Sequence, residues 1–208
     1  MVNVPEWHRK KARAEVRAFF AIIGTMKKAL VPLADGFEDI EAVAVIDILR
    51  RGGVEVVTAA LGPKRLAHSA HGIAMETDAM LADVLDAPWD AIILPGGGEG
   101  TANLRACEPL AERLRRQKFG DGGFVCAICA APTVLAAAGV LEDEDVTCYP
   151  SCEEEMGRPV ADVPAVADGQ IITGRGPGAA ITFALAVLAH LTGEETAHAV
   201  AEGMVTTL

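Results

Sequence analysis

One stretch of the chain has residue types and spacing suited to covalent chemistry. It runs Gly122-Gly123-Phe124-Val125-Cys126-Ala127-Ile128-Cys129-Ala130-Ala131-Pro132-Thr133 and continues into Val134-Leu135-Ala136-Ala137-Ala138-Gly139. The first half is a short apolar, β-branched run bounded by glycines, which predicts a buried parallel strand. The second half is alanine-rich, carries Pro132 where a helix's first turn tolerates it, and stops at Gly139. Cys129 falls at the joint. A strand-to-helix turn holds its residue at the exposed edge of a sheet, over a helix N-terminus that favours negative charge. A cysteine there is expected to have a lowered pKa and to be partly thiolate near neutrality. Cys129 is therefore the candidate nucleophile, set against the commoner role of a free cysteine as a small buried apolar residue.

Glu41 is the candidate acid–base partner. Positions 37, 41, 44, 45 and 48 are Phe, Glu, Ala, Val and Ile, so Glu41 lies on the helix stripe that should face the core. A carboxylate on a buried face needs a partner or becomes neutral, and next to a thiolate it could shuttle protons. Glu38 and Asp39, by contrast, read as first-turn acids favouring the helix dipole. Pro95-Gly96-Gly97-Gly98 after a strand offers bare backbone amides that can approach a ligand closely. The amides of Gly97 and Ala130 could together form an oxyanion hole, although a phosphate cradle would look similar. No Gly-Lys-Ser/Thr ending and no G-x-G-x-x-G follows a strand, which disfavours nucleotides. Arg175, between glycines, could neutralise a substrate carboxylate or tie loops together. Cys126-Ala-Ile-Cys129 with Cys148 and Cys152 loosely resembles a zinc ribbon, but ribbon cysteines sit on polar knuckles rather than inside an apolar strand. The histidines form no clear metal-ligand pair, so no metal is expected.

The elements that must position these residues alternate between strand and helix. Ala29–Leu33 reads as a strand, with Pro32 awkward for a central position because it removes a ladder donor. An Asp35-Gly36 turn leads to a helix from about Phe37 to Arg51, closed by Gly52-Gly53. Val54–Thr58 is the next strand, and residues 62–80 read as loop with a short hairpin around Ile73 to Thr77. Trp89–Leu94 is a strand, Pro109–Gln117 a polar helix, and Asp145–Tyr149 a further candidate strand before an acidic segment. Val163–Ala167 and Gln170–Thr173 flank an Asp168-Gly169 turn, and a long apolar helix spans about Ala180 to Leu191. This alternation predicts an α/β sandwich around a mostly parallel sheet. In such a fold the loops at the strands' C-terminal ends gather along one edge, where ligands bind. Asp35–Glu41, Pro95–Gly100, Cys129–Thr133 and Arg175–Gly178 should therefore meet.

Totals narrow the function further. With 208 residues, 51% of them apolar, the chain can bury one substantial core. A net charge of −11 argues against nucleic acid as a main partner. Five cysteines without a convincing export signal suggest reduced thiols and a cytoplasmic setting. No apolar run approaches the ~20 residues that span a bilayer. Residues 1–26 carry a net +3 and form a basic extension, with an apolar segment that faintly resembles a signal peptide. A mis-called start or a non-essential extension is expected there, since Met26 directly precedes the first convincing strand.

Four motifs in order carry a resemblance. Ala34-Asp35-Gly36-Phe37-Glu38-Asp39-Ile40-Glu41, Leu94-Pro95-Gly96-Gly97, Ala127-Ile128-Cys129-Ala130-Ala131-Pro132-Thr133 and Thr173-Gly174-Arg175-Gly176-Pro177-Gly178 resemble the ThiJ/PfpI superfamily, in the branch of the Parkinson-disease-associated protein deglycase. The match runs from about Lys27 to the C-terminus. It implies a flavodoxin-like three-layer sandwich, a homodimer and no cofactor. It also implies a reactive Cys129, a partner Glu41, and anion-binding amides at Gly97 and Ala130. Relatives of this branch act as glutathione-independent glyoxalases, as deglycases on glyoxal- or methylglyoxal-modified groups, and as redox-sensitive chaperones. Many relatives place a histidine where this chain has Tyr149, and protease-like relatives place one where it has Ala130. Without an imidazole, protease chemistry is not expected, and Glu41 must move the protons alone. The expectation is a cytoplasmic enzyme acting on small α-oxoaldehydes or glycated adducts. The rival is a non-catalytic redox sensor or chaperone with an oxidisable Cys129.

Overall fold

The computed structural model describes residues 26–206. The expectations for residues 1–25 lie outside the described residues. The strands are β1 (Lys28–Leu33), β2 (Glu55–Ala60), β3 (Leu66–His68), β4 (Ala74–Glu76), β5 (Ala79–Met80), β6 (Ala91–Leu94), β7 (Phe124–Ile128), β8 (Ala165–Asp168) and β9 (Ile171–Gly174). The α-helices are α1 (Asp39–Arg51), α2 (Leu81–Val84), α3 (Gly98–Arg105), α4 (Glu108–Arg116), α5 (Pro132–Ala138), α6 (Glu153–Met156), α7 (Ala180–Thr192) and α8 (Glu194–Gly203).

Seven strands form one sheet in the order β5-β2-β1-β6-β7-β9-β8, while β3 and β4 pair as a separate antiparallel hairpin. Within the large sheet every pairing is parallel except β8 with β9. Helices cover both faces because the central strands are apolar on both sides. Ala29, Val31, Leu33, Ile93 and Cys126 pack with α1, α7 and α8, whereas Leu30, Ile92, Leu94, Val125 and Ala127 pack with α3, α4 and α5. This is the flavodoxin-like three-layer sandwich. From β1 the chain builds outward to β2 and β5, then returns to lay β6, β7 and β9 on the other side. The order therefore reverses between β1 and β6, where open α/β sheets form their ligand crevice.

Local chemistry explains several boundaries. Pro32 sits in a central strand, and β1 pairs with β6 only through Ala29 and Leu30, before the residue that lacks an N–H. Helix α1 starts where the Glu38 side chain accepts the Glu41 amide at 2.8 Å, and its buried face is Glu41, Ala42, Val45, Ile46, Ile48 and Leu49. The segment expected as a strand at Asp145–Tyr149 is not one. The Thr147 amide donates to the Thr173 side-chain hydroxyl at 2.9 Å instead of to a neighbouring strand's carbonyl. Helix α3, absent from the expectations, begins in the glycine run at Gly98. Strand β7 enters α5 through a sharp elbow in which Cys129 adopts φ 65°. A β-carbon in that left-handed region costs about 1–2 kcal/mol relative to ordinary backbone.

Candidate active site

The crevice between β1 and β6 is closed by two loops that touch through bare backbone. A β-carbon on Gly97 (φ +96°) would lie 2.2 Å from the Gly36 carbonyl oxygen, and one on Gly100 would lie 2.7 Å from the Phe37 amide. Hydrogen bonds hold the contact: the Glu38 amide donates to Gly96 O at 3.0 Å, and Gly100 N donates to Gly36 O at 3.2 Å. Only glycine permits this approach. It places the first turn of α1 against the end of β6.

Glu41 projects from that first turn and has no surface in contact with solvent. Its Oε2 accepts the Gly96 amide at 2.7 Å. Its Oε1 is buried with no hydrogen-bond partner, and the Cys129 thiol lies beside the carboxyl group. Gly96 must be glycine here, because a β-carbon would lie 2.7 Å from Cys129 Cβ and 2.8 Å from Glu41 Oε2. Burial pushes the Glu41 carboxyl up to about 7; the Gly96 amide and Cys129 pull it down, and the nearby Glu38 charge adds to the rise.

Cys129 is 8% exposed, at the tip of the β7 elbow. Its backbone is pinned on both sides: its amide donates to Gly174 O at 2.9 Å, and its carbonyl accepts the Tyr149 amide at 2.8 Å. The structure corrects the expectation of a lowered thiol pKa. Burial pushes the thiol up, and the charge of Glu41 and its hydrogen bond push it further, while the amides of Ala130 and Gly97 pull it down. Helix α5 is seven residues long, too short for its dipole to dominate. The sulfur and the carboxyl group therefore act as one coupled pair in which ionisation of either raises the other. With one proton between them, thiol–carboxylate and thiolate–carboxylic acid are alternative arrangements. The amides of Gly97 and Ala130 pull toward the second, against the larger effect of burying the sulfur.

Cys129, Glu41, Gly96, Gly97 and Ala130 thus come together. Arg175 does not join them: its guanidinium sits 3.0 Å from Asp162 and 3.8 Å from Glu153, tying loops to one another. Sequence reasoning missed two supporting residues. Thr133 donates to the Ala130 carbonyl at 2.7 Å and is itself held by Arg105 at 2.6 Å, which fixes the Ala130–Ala131 peptide beyond Cys129. A polar residue four places past the cysteine was the available signal. Cys126 is fully buried in the strand, and among the described residues no cysteine joins a cluster of metal-ligand types. Glu38, Asp39 and His71 do lie close together, but Glu38 caps α1 and Asp39 bonds His71 at 2.5 Å.

Residues 27–190 match the model of the DJ-1/PfpI family. The chain belongs to that family. It is 39% identical over 188 residues to protein DJ-1 homolog B of Arabidopsis thaliana, covering 87% of this chain but 43% of that longer protein. It therefore spans less than half the length of that relative. It is 36% identical over 177 residues to the glutathione-independent glyoxalase DJR-1.2 of Caenorhabditis elegans, covering 83% of this chain and 93% of that one. The crystal structure of Drosophila melanogaster DJ-1beta superposes with a TM-score of 0.85 at 37% identity, covering 88% of this chain and all of that one.

Within this DJ-1/PfpI fold the imidazole-free site stands out. Among the described residues no histidine hydrogen-bonds Cys129 or Glu41. At the position where the family resemblance suggests a histidine stands Tyr149, 44% exposed. No described helix is long and apolar enough to cross a membrane.

The coupled pair makes a specific pH dependence. Below about 7 both groups hold protons; above it the pair holds one, and the thiolate form becomes available. The rate of Cys129 alkylation by iodoacetamide should therefore rise between pH 5 and 8 with a midpoint near 7, and Glu41→Gln should remove that midpoint. An unchanged profile in the variant would show that the carboxyl group does not control the sulfur.

Proposed function

We propose that this chain is a cysteine-dependent glyoxalase/deglycase that converts methylglyoxal, glyoxal or their adducts to 2-hydroxy acids without a cofactor. The observation that carries the reading is the buried Glu41 carboxyl group beside Cys129, with the sulfur facing the amides of Gly97 and Ala130. The similarity to a relative named as a glutathione-independent glyoxalase supports it.

Each step uses a group already in place. The Cys129 thiolate attacks the aldehyde carbon, and the carbonyl π pair moves onto oxygen, which the two amides stabilise. Neutral Glu41 protonates that oxygen, giving a hemithioacetal and leaving a carboxylate. The carboxylate then removes the hydrogen on C1 as a proton, the C1 hydroxyl proton passes to the C2 oxygen, and Glu41 returns its proton at C2. C1 is thereby oxidised to the acyl level and C2 reduced to an alcohol, so no external electron acceptor is needed. Water hydrolyses the thioester to lactate and restores the thiol. A carboxyl group that titrates near neutrality suits both roles, because it can donate first and accept next.

The reading extends to assembly. Ile40 and Val43 lie one turn apart on α1 and are about half exposed, an apolar face that a second copy would cover. Sedimentation should report a dimer that Val43→Glu converts to monomer; a wild-type monomer contradicts this assignment.

Purified protein should form lactate from methylglyoxal. Cys129→Ala should abolish turnover, and Glu41→Gln should lower kcat by about 100-fold or more. Full activity in Cys129→Ala would overturn the mechanism. Absence of turnover, together with ready peroxide oxidation of Cys129, would favour the redox-sensor reading instead.

A further inference from the structure

The peptide unit joining Cys129 to Ala130 carries the Cys129 carbonyl oxygen at one end and, at the other, the Ala130 amide that faces the sulfur. The unit is planar, so whatever holds the oxygen also aims the N–H. The Tyr149 amide holds it, at 2.8 Å. One of the two anion-stabilising amides is therefore aimed from outside the elbow, by the segment that ends at Tyr149.

That segment cannot be held as a strand. Its neighbour β9 already pairs with β7 on one side and β8 on the other, which leaves no free backbone edge. The Thr147 amide, two residues before Tyr149, donates instead to the Thr173 side-chain hydroxyl at 2.9 Å, and both threonines are fully buried. Two further bonds hold the segment: the Ala161 amide donates to Val146 O at 2.8 Å, and the Thr147 hydroxyl donates to Val163 O at 3.3 Å. Those partners lie in the loop ahead of β8, whereas Thr173 belongs to the sheet. The residue after it, Gly174, accepts the Cys129 amide at 2.9 Å. Consecutive residues of β9 thus hold both flanks of the nucleophile, Gly174 directly and Thr173 through Thr147 and Tyr149. A hydroxyl-bearing side chain in the middle of an apolar sheet costs stability unless it is bonded, and this one is spent on the elbow.

We propose that Thr173 is a positioning residue for the reaction: its hydroxyl anchors residues 147–149 so that the Tyr149 amide keeps the Ala130 amide aimed at the sulfur. Thr173→Val removes the acceptor, whereas Thr173→Ser keeps it. The Tyr149 amide hydrogen should exchange with solvent about 10-fold or more faster in Thr173→Val and at the native rate in Thr173→Ser. Alkylation of Cys129 by iodoacetamide at pH 8 should fall about 10-fold in Thr173→Val and survive in Thr173→Ser. A general loss of packing would not give that contrast.

Thr173→Val leaves the buried Thr147 amide without a partner and can unfold the chain, so a second variant acts at the other end of the link. An ester in place of the Cys148–Tyr149 amide, introduced with the hydroxy-acid analogue of tyrosine, deletes the Tyr149 N–H and keeps its side chain. Alkylation should slow in it by a similar factor. Native-rate alkylation in the ester variant, or unchanged exchange at Tyr149 in folded Thr173→Val, would overturn the proposal. The role rests on the reading of Cys129 as the nucleophile of an oxoaldehyde enzyme, but alkylation needs no oxoaldehyde. Slowed alkylation with no lactate formed by the native protein would contradict that chemistry and support the anchor. Lactate formation with unchanged alkylation in the ester variant would contradict the anchor alone. Where lactate forms, kcat should fall with the alkylation rate while KM holds.

Discussion

Glu41 is a carboxyl group shut away from water, supported by one backbone amide and one thiol, and the surrounding architecture follows from keeping it there. Burial disfavours its ionised form, and the single Gly96 donor does not compensate, so its folded pKa of about 7 lies above the ordinary 4.5. The sign for stability follows. Between those two values the folded chain holds a proton that the unfolded chain has released, so this group's contribution is fully present below about 4.5 and is lost as pH climbs through about 7. The shift corresponds to a few kcal/mol at most, on the order of 3. At neutral pH and above the fold therefore carries an internal acid at some expense of stability, as functional sites commonly do.

That acid can reach the sulfur only because two loops lie closer than side chains would allow. Gly36, Gly97 and Gly100 meet backbone to backbone, and Gly96 leaves just enough room for Cys129 and Glu41 to approach. The contact lies where the strand order reverses between β1 and β6, so the topology supplies the crevice and the glycines set its width. On the third side, Gly174 and Tyr149 pin the backbone of a cysteine held at φ 65°. Strain in that turn is tolerated because hydrogen bonds on both of its flanks fix it.

Much of this was legible in the residues themselves. The apolar run ending at Cys129 and the spacing of Phe37, Glu41, Val45 and Ile48 reveal a strand-end thiol and a core-facing acid, since burial periodicity is a local property of sequence. What could not be read was the balance of forces between elements far apart in the chain. The expected drop in the thiol pKa counted the helix N-terminus but not burial or the adjacent carboxylate, and those two reverse the direction. The segment around Thr147 has strand-like residues, yet its amide is taken by a hydroxyl from β9 that local propensity cannot register. Helix α3 was hidden by its glycines, which serve the loop contact rather than the helix. Arg175 has a loop position suited to a ligand, and only the location of Asp162 and Glu153 shows that it is already paired.

The central claim is that Glu41 carries a proton near neutrality while buried against Cys129. Infrared difference titration reads that proton directly, through the C=O stretch of a protonated carboxyl group, with Glu41→Gln as the control that assigns the band. The account predicts a band present at pH 5 that is lost with a midpoint close to 7 and is missing from the variant. A Glu41 already ionised at pH 5 would contradict it.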